Sequence, residues 1–208
     1  DAFGNIIHSF TAEGPFQDLT VTMEGEVDTQ DTNGLVSGAI ERFPPQLYLR
    51  DTSLTHADAA ISEFAHAIRA KAPGDNLALA HALLTGLNHE MTFDTDTTHA
   101  ATTAIESFSL RRGVCQDITH TFIAAARALG LPARYVGGHF RRSDGVTAQD
   151  AGHAWAEAYM ENLGWVGFDP TNGICTTDSH VRVAIGLDYL GAAPVRGASF
   201  GGSGETLK

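Results

Sequence analysis

The sequence predicts an α+β protein in which helices pack on an antiparallel sheet, preceded by a small N-terminal β appendage. Three observations carry this expectation. Apolar residues recur at helical spacing between positions 57 and 87 and again between 118 and 129. The second half turns to strand-like runs, two of them joined by a turn-forming tetrapeptide. The first 38 residues carry short β-like runs and no helical spacing.

Taken in order, Ile6-Ile7-His8-Ser9-Phe10 and the alternating run from Leu19 to Val27 read as strands, with Asn33-Gly34 marking a turn. This segment is too short to close a sheet alone. Phe43-Pro44-Pro45-Gln46 reads as a linker, because paired prolines remove two backbone donors. A boundary is therefore expected there, with residues 1–45 as a partial β-domain plus linker and 46–208 as the main domain. Ala57, Ala60, Ile61, Phe64, Ala65 and Ile68 mark a helix that stops before Pro73-Gly74. Asp75 can cap the next one, whose apolar face is Leu77, Ala80, Leu83, Leu84 and Leu87. Ala104, Ile105 and Phe108 suggest a short third helix.

Cys115 then opens a helix with the stripe Ile118, Phe122, Ala125, Ala126 and Leu129, ended by Gly130-Leu131-Pro132. Ala133 to Phe140 looks like a strand, and 141–152 is a polar loop. His153 to Met160 and Trp165 to Asp169 form a hairpin candidate around Glu161-Asn162-Leu163-Gly164. Residues 181–185 are one more strand, and the glycine- and serine-rich stretch 197–204 reads as a loop.

Composition limits the function classes. With 25 acidic against 13 basic residues the net charge is -12, so the basic footprint of a nucleic-acid reader is missing and attraction to anionic membranes is disfavoured. No apolar run approaches bilayer length. Two cysteines, Cys115 and Cys175, are too few for a disulfide scaffold and too distant for a zinc site. At least one free thiol suits a reducing, cytoplasmic compartment. The start lacks an initiator Met and a signal core, which reads as a processed product or a fragment.

A thiol at the first turn of a helix sees the positive end of the helix dipole and several unpaired backbone amides. Both favour the nucleophilic thiolate, and the amides can bond an oxyanion. Gly113 would leave room for substrate. Alone, however, a single cysteine is more often a core residue. A thiol enzyme also needs a base and a group that fixes the tautomer of that base. His153 opens the first hairpin strand and Asp169 closes the second, so the turn brings them to one end. Their even separation puts directly paired side chains on one face, shared with Trp155, Glu157 and Tyr159. A half-exposed strand histidine and a turn-forming Asp before Pro170 are the blander readings. The three together outweigh them.

These residues also carry a resemblance. Arg112-Gly113-Val114-Cys115-Gln116-Asp117, Gly152-His153-Ala154-Trp155 and the run Gly164 to Gly173 resemble the signature blocks of the bacterial transglutaminase-like cysteine protease family. Asp1 to Asn5 resembles part of that family's N-terminal β-domain, and Val181 to Tyr189 its block after the site. The resemblance implies a papain-like transglutaminase core over 46–208, with Cys115 as nucleophile, His153 as base and acid, and Asp169 as orienter. It implies no metal, no organic cofactor, and a peptide or protein amide as substrate. The leading expectation is a cysteine-dependent amide-bond hydrolase, a peptidase or amidase working through an acyl-thioester; acyl transfer to an amine and an inactive peptide-binding module are the alternatives. In two respects the chain departs from the pattern: strands that normally flank both ends are missing, and Leu187 stands where relatives often carry Arg. His81, His89 and His99 lack tight ligand spacing, and His120 reads as a packing or surface residue. Cys175 reads as structural, Gly137-Gly138 is no phosphate loop, and Arg141-Arg142 reads as a solvated pair.

Overall fold

A computed structural model describes residues 1–14, 20–72, 74–149 and 151–197. The α+β expectation holds. Helix α1 (Ala59–Lys71) is capped by Asp58, whose carboxylate accepts the Ile61 N–H at 2.9 Å. Helix α2 (Asn76–Glu90) begins at Asp75, which accepts the Ala78 N–H at 2.9 Å. Thr103 and Glu106 close a reciprocal capping box on α3 (Ala104–Leu110). A two-residue parallel pair, β1 (Thr92–Phe93) with β2 (Arg112–Gly113), leads directly into α4 (Cys115–Ala128). It fixes where the first turn of that helix stands.

The main sheet is antiparallel throughout. Its strands are β3 (Ala133–Phe140), β4 (His153–Met160), β5 (Gly164–Asp169), β6 (Ile174–Cys175) and β7 (His180–Gly186), in the order β6-β5-β4-β3-β7. A short α5 (Tyr189–Ala192) follows. The turn between β4 and β5 uses Asn162 and Gly164 at positive φ, 73° and 85°, which favours Asn and Gly there.

Helix α4 is the centre of the core. Ile118, Phe122, Ala125 and Ala126 are buried against Ala154, Ala156, Ala158 and Phe168, and the Phe122 and Phe168 rings stack at 5.6 Å. Small alanines on the inner face of β4 let the helix approach closely. The other face of β4 is buried as well. There Glu157, 1% exposed, bonds Arg134 and Arg182 at 2.7 Å each, Arg134 also holds Glu41, and its guanidinium lies 3.8 Å over the Trp165 ring. Pairing and hydrogen bonding are what make a buried charge of this kind tolerable.

At the far end of α4, Arg127 stitches separate elements together. Its guanidinium donates to the carbonyls of Tyr48, Ala133 and Leu187 and to Thr55 Oγ1, with distances from 2.6 to 3.2 Å.

Several expectations are corrected here. No strand forms over 6–10 or 20–27. Ile6, Phe10, Val21, Met23 and Val27 stay exposed, because no strand edge among the described residues pairs with these runs. Only Leu35 makes a bridge, to Val166. The paired prolines are not a free linker: Pro45–Leu49 is one turn of 3-10 helix with Pro in its first turn, and it buries Tyr48 against Trp165. Ahead of it, Phe3 packs on Phe43 and Tyr48, and Asn5 brackets the backbone of Ile185. Leu19 and the glycine-rich loop beyond position 197 lie outside the described residues.

Candidate active site

Cys115 occupies the first position of α4, with Val114 as N-cap in an extended conformation. The Asp117 and Ile118 amides turn back to the Val114 carbonyl. The Cys115 and Gln116 amides are thus the free first-turn donors of this helix. Gly113 has a different use from the one expected. A Cβ there would stand 2.6 Å from Asp117 Oδ2, so the missing side chain makes room for that carboxylate rather than for substrate. Asp117 is fully buried; it accepts the Val114 N–H at 2.9 Å and the Thr98 hydroxyl at 2.6 Å. Burial pushes its pKa up, against the two bonds that pull it down.

His153 and Asp169 meet as the hairpin predicts, but diagonally. The register pairs Ala156 with Phe168, which sets Asp169 opposite Trp155, two positions from His153 and on the same face. His153 Nε2 lies 2.7 Å from Asp169 Oδ2. The His153 side chain is 11% exposed and Asp169 is fully buried. Burial works against a charge on the ring, but the bond to Asp169, with a further contribution from Cys115, outweighs it and pushes the His153 pKa up to about 9. Asp169 is held well below the ordinary carboxylate range: desolvation opposes this, and the bonds from His153, His180 and Asn172 overcome it.

The sequence matches the family described as "Transglutaminase-like superfamily" over residues 62–170, more than half of the chain. The chain belongs to that superfamily. A protein of Mycobacterium leprae with no assigned function is 28% identical over 220 residues, covering 99% of this transglutaminase-like chain and 76% of the relative. A protein-glutamine gamma-glutamyltransferase of Pseudomonas aeruginosa is 30% identical over 152 residues, 61% of this chain and 22% of its own. Among solved structures, a candidate cysteine protease from Cytophaga hutchinsonii superposes with a TM-score of 0.57 at 25% identity, covering 71% of this chain. The present chain spans about half of that protein, 48%. No helix among the described residues is long and apolar enough to cross a membrane.

Within the transglutaminase-like core, two residues at the site were not singled out from the sequence. Asn172 donates its side-chain N–H to Asp169 Oδ2 at 2.7 Å and its backbone N–H to Oδ1 at 3.1 Å. The Asp-Pro-Thr-Asn order could have announced this turn. His180, at the start of β7, reaches the same Oδ2 at 3.2 Å. Nothing local in the sequence signals it. Of the two readings of His120 the packing one holds: it is fully buried, accepting the Tyr189 N–H on Nε2 at 3.0 Å, and burial lowers its pKa to about 4. Both cysteines are free; Cys175 is half-buried, with burial raising its pKa. Arg142 pairs with Asp144 in the exposed loop.

The raised pKa of His153 ties stability to pH. A group whose pKa rises on folding stabilises fully below its unfolded value, here 6.5, and the contribution drains away as pH climbs through about 9. The contribution is on the order of 3 kcal/mol. The thermal midpoint should therefore fall by roughly 5–10 °C between those limits. Melting curves of His153→Gln should show that slope greatly reduced; an equal slope in the variant would assign the pH dependence to other groups.

Proposed function

We propose that this protein is a cysteine-dependent amide-bond hydrolase, a peptidase or amidase that works through an acyl-thioester. The observation that supports it best is the joint placement of a thiol at a helix start and an imidazole whose far nitrogen is held by a buried carboxylate. In this reading the proton that Cys115 gives up is already held on His153 Nδ1 before substrate arrives, as the raised His153 pKa favours, and the sulfur attacks the amide carbonyl carbon. The Cys115 and Gln116 amides receive the developing oxyanion. The C–N bond breaks as His153 returns the proton to the leaving amine. His153 then takes a proton from water, the hydroxide adds to the thioester, and the C–S bond breaks to release acid and thiol. Asp169 keeps the imidazole in the tautomer this sequence requires. No step calls for a metal or an organic cofactor, and the acidic chain offers no footprint for nucleic acid or for an anionic membrane. Two free thiols fit a reducing compartment.

Digestion of casein, with and without an added primary amine, tests the assignment. Wild-type protein should release peptides, the amine should be incorporated more slowly than peptides appear, and Cys115→Ala should lose at least about 1000-fold in rate. Unchanged hydrolysis by Cys115→Ala would end the hydrolase reading. A second reading, acyl transfer to an amine, draws support from the Pseudomonas aeruginosa relative named as a gamma-glutamyltransferase. It would take precedence if incorporation outpaces hydrolysis. If Cys115 reacts with iodoacetamide at pH 6 no faster than a free thiol, the site is a peptide-binding surface instead.

A further inference from the structure

Asp169, on β5, is approached by two histidines from the strands on either side of β3. His153 belongs to β4 and His180 to β7, and both direct Nε2 at Oδ2, at 2.7 and 3.2 Å. The His180 side chain is 1% exposed. It lies against the rings of Phe140 and Trp155, with centroids at 4.7 and 5.2 Å, and against His153 at 6.1 Å. Gly138 makes that crossing possible. It sits between the two strands on β3, where a Cβ would stand 2.7 Å from the Trp155 ring and 2.1 Å from the Val181 carbonyl.

The tautomer of His180 follows from its other nitrogen. Nδ1 faces the backbone N–H of Thr177 at 3.1 Å, and only an unprotonated nitrogen can accept that bond. In the neutral ring the proton is then on Nε2, so the contact with Asp169 is a donated N–H. This also decides against the most obvious alternative. His153, Asp169 and His180 place three possible ligand atoms within 4.8 Å of one another, the layout of a metal site. A cation would need the Nε2 lone pair of His180, which moves the ring proton to Nδ1 and sets it against the Thr177 N–H. The side-chain N–H of Asn172, 2.7 Å from the same Asp169 oxygen, would also have to give way.

We propose that His180 is a positioning residue of the Cys115 site, its Nε2–H fixing the Asp169 carboxylate so that His153 keeps Nδ1 free toward the thiol. This rests on the amide-hydrolase reading. Three donors from three places, β4, β7 and the turn after β5, converge on Oδ2 and leave the carboxylate one orientation. The titratable groups facing His180 are Asp169 and His153. A hydrogen bond to an ionised group is among the strong ones, and small misplacement of an acid–base pair is felt in the rate.

The test compares His180→Phe, which keeps the ring stacking, with His180→Gln, which can still offer an amide N–H to Asp169. In casein hydrolysis the Phe variant should lose about ten- to hundredfold in kcat with KM nearly unchanged. Its Cys115 should alkylate with iodoacetamide at pH 6 about tenfold more slowly than wild type. The alkaline limb of its alkylation profile should move to lower pH, because a carboxylate free to rotate supports the His153 imidazolium less. His180→Gln should recover most of each loss. Long-range proton–nitrogen NMR of the wild-type protein should find His180 protonated on Nε2. Wild-type alkylation by the Phe variant overturns the proposal. So does a Gln variant that melts like wild type yet performs no better than Phe, or tight Zn2+ binding that His180→Phe abolishes. Failure of the underlying reading shows separately, as casein activity that survives Cys115→Ala; the alkylation arm does not depend on hydrolysis.

Discussion

Asp169→Asn should lower casein hydrolysis by on the order of 1000- to 10000-fold while leaving a folded protein. The wild-type carboxylate accepts four hydrogen bonds, three on Oδ2 and one on Oδ1, and it is entirely buried. An asparagine keeps the shape but offers one acceptor and one donor. If its amide nitrogen faces His153, the imidazole must take the opposite tautomer and present Nδ1–H to the thiol, which removes the base. If the oxygen faces His153, the N–H points at the turn of Asn172 and that clasp is lost. Either way the negative charge supporting a protonated His153 is gone. Stability should fall by about 2–3 kcal/mol, read by urea titration near neutral pH.

The pH dependence of that loss has a definite sign. The Asp169 pKa is depressed on folding, so its contribution is present above the unfolded carboxylate value and is lost as pH falls through the lower folded one. Wild type and variant should therefore converge in strong acid. The variant should also lose the decline between pH 6.5 and about 9, because that decline needs the carboxylate beside His153. Activity within tenfold of wild type would remove Asp169 from the mechanism.

Arg127→Met is expected to be the most damaging change away from the site, at about 3–5 kcal/mol. Arg127 is 6% exposed, and its guanidinium makes five hydrogen bonds, all 3.2 Å or shorter, to neutral oxygens of four separate segments. Methionine fills much of the same volume but donates nothing. The carbonyls of Tyr48, Ala133 and Leu187 would then be buried with fewer partners. Burial lowers the pKa of Arg127 to about 10, so the cation persists through the neutral range and its bonds stay charge-assisted. Urea unfolding of the variant should show the loss directly, and its Cys115 should still alkylate at the wild-type rate below the melting range. A loss under about 1 kcal/mol would mean the freed carbonyls find other partners.

The legible parts of this fold are those whose cause is local. Asp75 caps α2 as its position before an apolar stripe implies, and Cys115 begins α4 because Gly113-Val114 cannot extend the stripe backward. The hairpin was readable from Glu161 to Gly164, and parity alone put His153 and Asp169 on one face. Register was not readable. A diagonal offset of two residues preserves parity, and only the pairing of Ala156 with Phe168 reveals it. The runs at 6–10 and 20–27 failed for a different reason: alternation marks a chain able to pair, and pairing also needs an edge. His180 was hidden because its partner lies across β3, and nothing in the strand-like run around Gly138 shows that the missing side chain leaves room for the Trp155 ring and the Val181 carbonyl.

The place of β7 at the end of the sheet bears on when the thiol becomes reactive. Strand β7 must find β3 from some forty residues away, the kind of long-range pairing that comes late. A chain still being made, or one opened at that edge, would hold its cysteine at a helix start with one donor fewer on the carboxylate behind the imidazole. On the proposed role of His180, full reactivity of the thiol waits for the pairing of β7 with β3.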